Sequence, residues 1–155
     1  MAGKTEHEHI KQIVADRLRA VGGSSIVITE VNIREGGKCI GRPDIVMVRP
    51  PKVFIVEIKL DQWQITDEVL AQMKVYGAFA YRTYLCLPKK RCSSSPISLC
   101  RDRHIGLIAV NIDPDDGPIG LLTTKVQAVW NPSPKKWTEL SERLEKLGME
   151  SLYFG

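Results

Sequence analysis

The chain has 155 residues, enough for one domain spanning 1–155 with a substantial core, and its hydrophobic and charged fractions of 43% and 26% are those of an ordinary globular protein. No apolar run approaches the about 20 residues that cross a bilayer, so no membrane association is expected, and the polar start "MAGKTEHEHIK" does not read as a secretory signal. The net charge of +4 suits a polyanionic partner without requiring one, and four irregularly spaced cysteines argue for a reducing, cytoplasmic location rather than a disulfide scaffold.

In chain order, "TEHEHIKQIVADRLRAVGG" predicts a helix capped at Thr5. Ile10, Ile13, Val14, Leu18 and Val21 recur at helical spacing, and Gly22 and Gly23 stop it. "SSIVITEVNI" predicts a strand and "REGGKCIG" a turn or loop. Residues 43–48 and 53–59 read as two strands joined by "RPPK", a connection short enough for antiparallel pairing. "ITDEVLAQMKVYGAFAY" predicts a helix with Thr66 as its cap and Asp67 and Glu68 in its first turn. "RTYLCLP" and "HIGLIAVNI" are further strands, separated by the basic, serine-rich segment "KKRCSSSPISLCRDR". "DPDDGP" is a turn, "IGLLTTKVQAVW" a strand, and "NPSPKKWTELSERLEKLG" a helix with Ser133 as cap and Pro134 first. The pattern is that of an α/β domain with a mixed sheet flanked by helices.

One stretch does not fit a purely structural role. "GRPDIVMVRPPKVFIVEIKL" uses apolar strands to deliver Asp44, Glu57 and Lys59. Residues two apart in a strand share a face, so Glu57 and Lys59 project together with Val53 and Ile55. Antiparallel pairing brings Asp44 towards Glu57. Two carboxylates held close repel, and burial penalises both charges; a shared cation or proton relieves them. A hard divalent metal takes carboxylate oxygens, a backbone carbonyl and water. Lys59 is then placed for a metal-activated water or a substrate phosphate. The competing reading is a structural ion pair of either acid with Lys59.

"PD", twelve residues, then "EIK" resembles the signature of the PD-(D/E)xK nuclease superfamily, over roughly residues 5–112. The resemblance implies a restriction-endonuclease-like core and metal-dependent hydrolysis of DNA in repair, recombination or processing, by an endonuclease in preference to an exonuclease. It implies Mg²⁺ or Mn²⁺ held by Asp44, Glu57 and the Ile58 carbonyl, with Lys59 acting on water and phosphate. "QMKVY" is similar to the Q-x-x-x-Y motif of RecB-type domains, which gives Gln72 a role in orienting Lys59, water or substrate and turns Tyr76 towards the site or the DNA. The run from "TEVNIREGG" to "HIGLIAVN" is similar instead to small MmcB-like proteins associated with DNA repair. The superfamily often adds an acid from the first helix. Glu6 is the choice because it shares a stripe with Ile10, Ile13 and Val14, with Glu8 and Glu30 as substitutes.

In that setting Lys89, Lys90, Arg91, Arg101 and Arg103 become phosphate contacts; taken alone they read as a solvated loop. An iron–sulfur cluster is disfavoured, because Cys39, Cys86, Cys92 and Cys100 include no C-x-x-C pair and Cys86 reads as a buried strand residue. His7, His9 and His104 lack paired ligand spacing for zinc. A homodimer would let two sites cut two strands, with Trp130, Trp137 and the terminal "LYFG" as candidate contacts. The rival class is a non-catalytic module that holds nucleic acid on a nuclease fold.

Overall fold

A computed structural model describes residues 2–23 and 25–154, with side chains from Glu6 to Leu147. The side chains of Thr5, Leu152, Tyr153 and Phe154, and Gly155 altogether, lie outside that description. Helix α1 spans Ala2–Val21, so it begins before Thr5, the expected cap. Strands β1 (Ile26–Thr29), β2 (Ile33–Glu35), β3 (Lys38–Gly41), β4 (Ile45–Arg49) and β5 (Lys52–Ile58) follow. Helix α2 (Asp67–Gly77), β6 (Arg82–Pro88), α3 (Ser94–Asp102), β7 (Gly106–Val110), β8 (Leu122–Val126) and α4 (Pro134–Phe154) complete the chain.

Six strands form a mixed sheet in the order β1-β4-β5-β6-β7-β8. β1, β4 and β5 are antiparallel, β5, β6 and β7 are parallel, and β8 returns antiparallel. Strand alternation sorts the sheet's side chains into two cores. On one face Ile45, Val56, Ile58, Cys86 and Val110 pack against Ile10, Val14, Ala15 and Leu18 of α1. On the other, Val46, Val48, Val53, Ile55, Leu85 and Leu107 meet α2 through Leu70, Met73 and Tyr76, and α4 through Trp137, Leu140 and Leu144. The result is the expected α/β architecture, a mixed sheet between helical layers.

Three local departures from the sequence reading have physical causes. The strand expected over residues 24–33 breaks after Thr29, because Glu30 adopts a left-handed backbone with φ of 58°. That unfavourable conformation is held from three sides. Lys11 Nζ donates to the Glu30 carboxylate at 2.9 Å, Arg42 Nε donates to the Glu30 carbonyl at 2.9 Å, and the Glu30 N–H donates to the Asp44 carbonyl at 3.2 Å. The expected loop over "REGGKCIG" is instead a hairpin, β2–β3, whose two central glycines, Gly36 and Gly37, both take positive φ. Tight two-residue hairpins demand that conformation. The basic, serine-rich segment contains α3, in which Pro96 and Cys100, four residues apart, are the buried positions. Thr66 caps α2 as expected, its hydroxyl accepting from Val69 N–H.

Candidate active site

Cross-strand register creates the first feature. Ile45 lies opposite Val56 and Val46 opposite Ile55, so Asp44, one residue before β4, falls opposite Glu57. Alternation directs both carboxylates to the α2 face of the sheet. Each grips the other's strand: Asp44 N–H donates to Glu57 Oε1 at 2.9 Å, and Ile58 N–H donates to Asp44 Oδ2 at 2.8 Å. Burial, and then the negative charge of Asp44, push the Glu57 carboxyl up to about 7 against its ordinary 4.5. The Asp44 N–H and, more weakly, the Lys59 cation oppose that rise. The pair is short of positive charge.

Lys59 immediately follows β5, and its N–H donates to the Cys86 carbonyl at 3.0 Å, which extends the parallel ladder by one residue. Alternation keeps its side chain on the Glu57 face, where its charge reaches that carboxylate. The Ile58 side chain points the other way and is fully buried under α1. Its carbonyl oxygen is the chemically available part.

Helix α1 supplies an unexpected partner. His7 Nε2 lies 3.3 Å from Asp44 Oδ2 and 3.2 Å from the Ile58 carbonyl oxygen. Glu6, the acid expected from this helix, is exposed and borders a different cleft beside Leu60 and Trp63. The substitutes Glu8 and Glu30 are both engaged by Lys11, at 2.9 Å each. Lys11 is only 5% exposed, and that explains why the helix-borne partner is His7 and not Glu6. The buried face of α1 runs through Ile10, Lys11, Val14, Ala15 and Leu18, so it is centred closer to position 7 than to position 6. A lysine hidden on that face disguises its width. The available signal was the seven-residue step from His7 to Val14 and the eleven-residue step to Leu18.

Gln72 and Tyr76 share one face of α2, as their spacing predicts, and both serve the segment before Asp44. Gln72 Nε2 donates to the Ile40 carbonyl at 3.3 Å. Tyr76 is 2% exposed, and the Arg42 N–H faces its hydroxyl. Burial, and then the Glu57 charge, push the Tyr76 phenol upward. Burial corrects the reading of Tyr76 as a nucleic-acid contact, because the ring has no surface to offer. Gly41 passes so close to α2 that a Cβ there would stand 2.5 Å from the Tyr76 ring and 2.8 Å from Gln72 Nε2. The two α2 residues therefore clamp the strand that leads into Asp44.

The five basic residues expected to form one phosphate-binding surface divide between two ends of the sheet. Lys89, Lys90 and Arg91 form a 3-10 turn directly after β6, near Leu60 and Asp61. Helix α3 then carries the chain back, so Arg101 and Arg103 lie at the start of β7, where Arg103 lines a cleft with Tyr81 and Thr83. Lys90 is paired with Asp113, and Arg91 Nη1 lies 3.6 Å from Asp61.

Two carboxylates and the Ile58 carbonyl form an oxygen donor set, and Asp44 Oδ2 and Ile58 O converge on one point, currently marked by His7 Nε2. Such donors suit a hard, partly hydrated cation such as Mg²⁺ rather than a structural zinc. Among the described residues no three His, Cys, Asp or Glu side chains form a ready-made metal cage. Cys86 and Cys100 are buried, and burial holds both thiols up, Cys100 to about 11. Cys39 is exposed on β3. Trp137 packs edge-on against Tyr81 within the monomer, while Trp130 is half exposed beside the same ring.

The fold and site define an α/β protein with a paired-carboxylate centre at the end of its mixed sheet. Neither a family model nor a curated protein matches the chain. A solved protein of unknown function from Silicibacter pomeroyi is similar in structure, with a TM-score of 0.54 and 16% identity, over 89% of this chain and 88% of that one. At that identity the likeness speaks for the fold alone. No described helix is long and apolar enough to cross a membrane.

Proposed function

We propose that this chain is a metal-dependent deoxyribonuclease of the PD-(D/E)xK kind, cutting internally, on a restriction-endonuclease-like core made by α1, the β4–β5 pair, α2 and β6. The observation that carries the reading is the charge-deficient pair of Asp44 and Glu57, with the Ile58 carbonyl converging on Asp44 Oδ2 and the Lys59 charge within reach of Glu57. A structural ion pair with Lys59 accounts for less, because Lys59 only weakly offsets the raised Glu57 carboxyl.

Asp44, Glu57 and the Ile58 carbonyl would hold Mg²⁺ or Mn²⁺, with His7 Nε2 as the side chain nearest that point. The bound cation supplies an acidified water and charge neutralisation at phosphate. Lys59 donates to a non-bridging phosphate oxygen and to the attacking water, orienting the one towards the other. Asp44 and Glu57 are fixed by reciprocal backbone hydrogen bonds, and His7, whose Nε2 stands between Asp44 Oδ2 and the Ile58 carbonyl, would draw aside to make room for the cation. Gln72 and Tyr76 act one layer back, keeping Ile40–Arg42 in place and with it Asp44.

The test is cleavage of linear, circular, single-stranded and branched DNA with Mg²⁺, Mn²⁺ or EDTA, using wild type, Asp44→Ala and Lys59→Ala. Metal-dependent cutting lost in both variants is expected. Cutting that survives both, or none on any DNA, overturns the proposal.

A further inference from the structure

The cleft beside the candidate centre carries an exposed aromatic that the acid–lysine chemistry does not use. Immediately after Lys59 the chain makes a 3-10 turn, Gln62–Gln64, fixed at both ends. Asp61 Oδ1 accepts from Gln62 N–H at 2.7 Å, and Gln64 Oε1 accepts from Leu60 N–H at 2.7 Å. Gln62 Nε2 donates to Ser95 Oγ at 3.0 Å, tying the turn to α3. On this braced turn stands Trp63, 74% exposed. The exposed indole is not isolated: it borders a cleft whose lining also includes Leu60 and Ile112, the latter 37% exposed, so its apolar face opens onto a concave surface.

Trp63 flanks a cleft of about 550 Å³ whose lining includes Leu60, Gln64, Pro88, Lys89 and Ile112. That volume is in the range of small-ligand sites. The charged side chains lining it balance, with Glu6, Asp61 and Asp113 set against Lys89, Lys90 and Arg91. Lys90 and Arg91 are already engaged by Asp113 and Asp61. Among the described residues, Lys89 is the member of the triplet with no acid within ion-pair distance. A balanced cleft with an aromatic wall and one unengaged cation does not suit the densely charged outside of a duplex. It suits one flat, apolar base with one phosphate.

We propose that Trp63 is a stacking platform for an unpaired base next to the scissile phosphate, with Lys89 on the adjoining phosphate, so that the substrate is DNA with a single-stranded segment at the cut. This specificity rests on the nuclease reading. Bases in a duplex are stacked on one another and cannot lie on a protein ring, whereas single strands offer every base face. The Trp63 platform and Lys59 are four residues apart in the chain, which places both at the same end of the sheet.

The experiment is fluorescence anisotropy of labelled oligothymidylate, and of a duplex of equal length, with the full chain in EDTA, using wild type, Trp63→Ala and Trp63→Phe. Cleavage of both DNAs in Mn²⁺ is measured in parallel. Exposure of Trp63 means that neither substitution disturbs the core. Wild type is expected to prefer the single strand; Trp63→Ala should lose about tenfold on it and nothing on the duplex, and Trp63→Phe should keep most of the preference. Trp63→Ala binding and cutting both DNAs like wild type overturns the platform while leaving the nuclease reading intact. A single-strand preference that depends on Trp63, with no cutting in any metal, supports the platform and removes the nuclease reading.

Discussion

His7 Nε2 stands 3.3 Å from Asp44 Oδ2, although α1 packs against the opposite face of the sheet from the Asp44 and Glu57 side chains. The contact is made at the end of the sheet, where the first turns of α1 reach past β5 to the Ile58 carbonyl. Glu6, one residue earlier, turns into the Trp63 cleft. His7→Ala should therefore weaken Mn²⁺ binding about tenfold, in the range typical for lost neighbours of a metal site, and Glu6→Gln should leave it unchanged. Titration calorimetry of the two variants checks the assignment, and the opposite ranking would restore Glu6 as the helix-borne ligand.

Glu57 gives the metal-free protein a signed pH dependence. Its carboxyl is raised from 4.5 to about 7 in the folded chain, so between those values the folded state holds more proton than the unfolded state. Stability from this group is present below about 4.5, falls as pH rises towards about 7, and is lost above it. The melting midpoint of wild type relative to Glu57→Gln should fall across that window. Added Mn²⁺ should raise the wild-type midpoint most on its alkaline side, because the deprotonated pair is the form that needs a cation. A wild-type minus variant difference that is flat with pH would remove the charge deficit from the argument.

Gly41→Ala tests the α2 clamp. The new Cβ would stand 2.5 Å from a ring that is 2% exposed and backed by the core, so the ring cannot move aside and the strand must. A loss of about 1–3 kcal/mol in denaturant unfolding is expected, the usual cost of overpacking, together with reduced metal affinity because Asp44 is displaced. Unchanged stability would mean that β3 does not press on α2.

The division of the basic residues also separates two outcomes. Lys89→Ala should reduce the salt slope of DNA binding by about one. The double variant Arg101→Ser with Arg103→Ser, at the far end of the sheet, should leave affinity and slope as in wild type. Equal effects from both variants would require DNA to run along α3.

Sequence alternation made the β4–β5 pair legible, and with it the meeting of Asp44 and Glu57, because register in a short hairpin follows from the apolar pattern and the turn. The cap at Thr66 and the common face of Gln72 and Tyr76 were legible for the same local reasons. What escaped was set by tertiary context. His7 was hidden by Lys11, a charged residue on the buried stripe whose burial depends on Glu8 and Glu30 arriving beside it. The break at Glu30 depends on Lys11 and Arg42, distant in sequence. Helix α3 is short, and its apolar residues Pro96, Ile97, Leu99 and Cys100, although at helical spacing, sit among serines and basic residues that read as a loop. Its course separates basic residues that lie close in sequence. Gly36 and Gly37 did announce the β2–β3 turn, but strands as short as Ile33–Glu35 carry almost no pattern of their own.

The most direct measurement is Mn²⁺ titration calorimetry run beside DNA cleavage for wild type, Asp44→Ala and Lys59→Ala. Wild type should bind Mn²⁺ and cut. Asp44→Ala should do neither, and Lys59→Ala should bind like wild type yet cut about 100-fold more slowly, the scale of losing a positioned donor at a developing charge. Wild type that takes up no Mn²⁺, or a Lys59→Ala protein that cuts at the wild-type rate, would contradict a centre in which paired acids hold the metal and the lysine works on the phosphate.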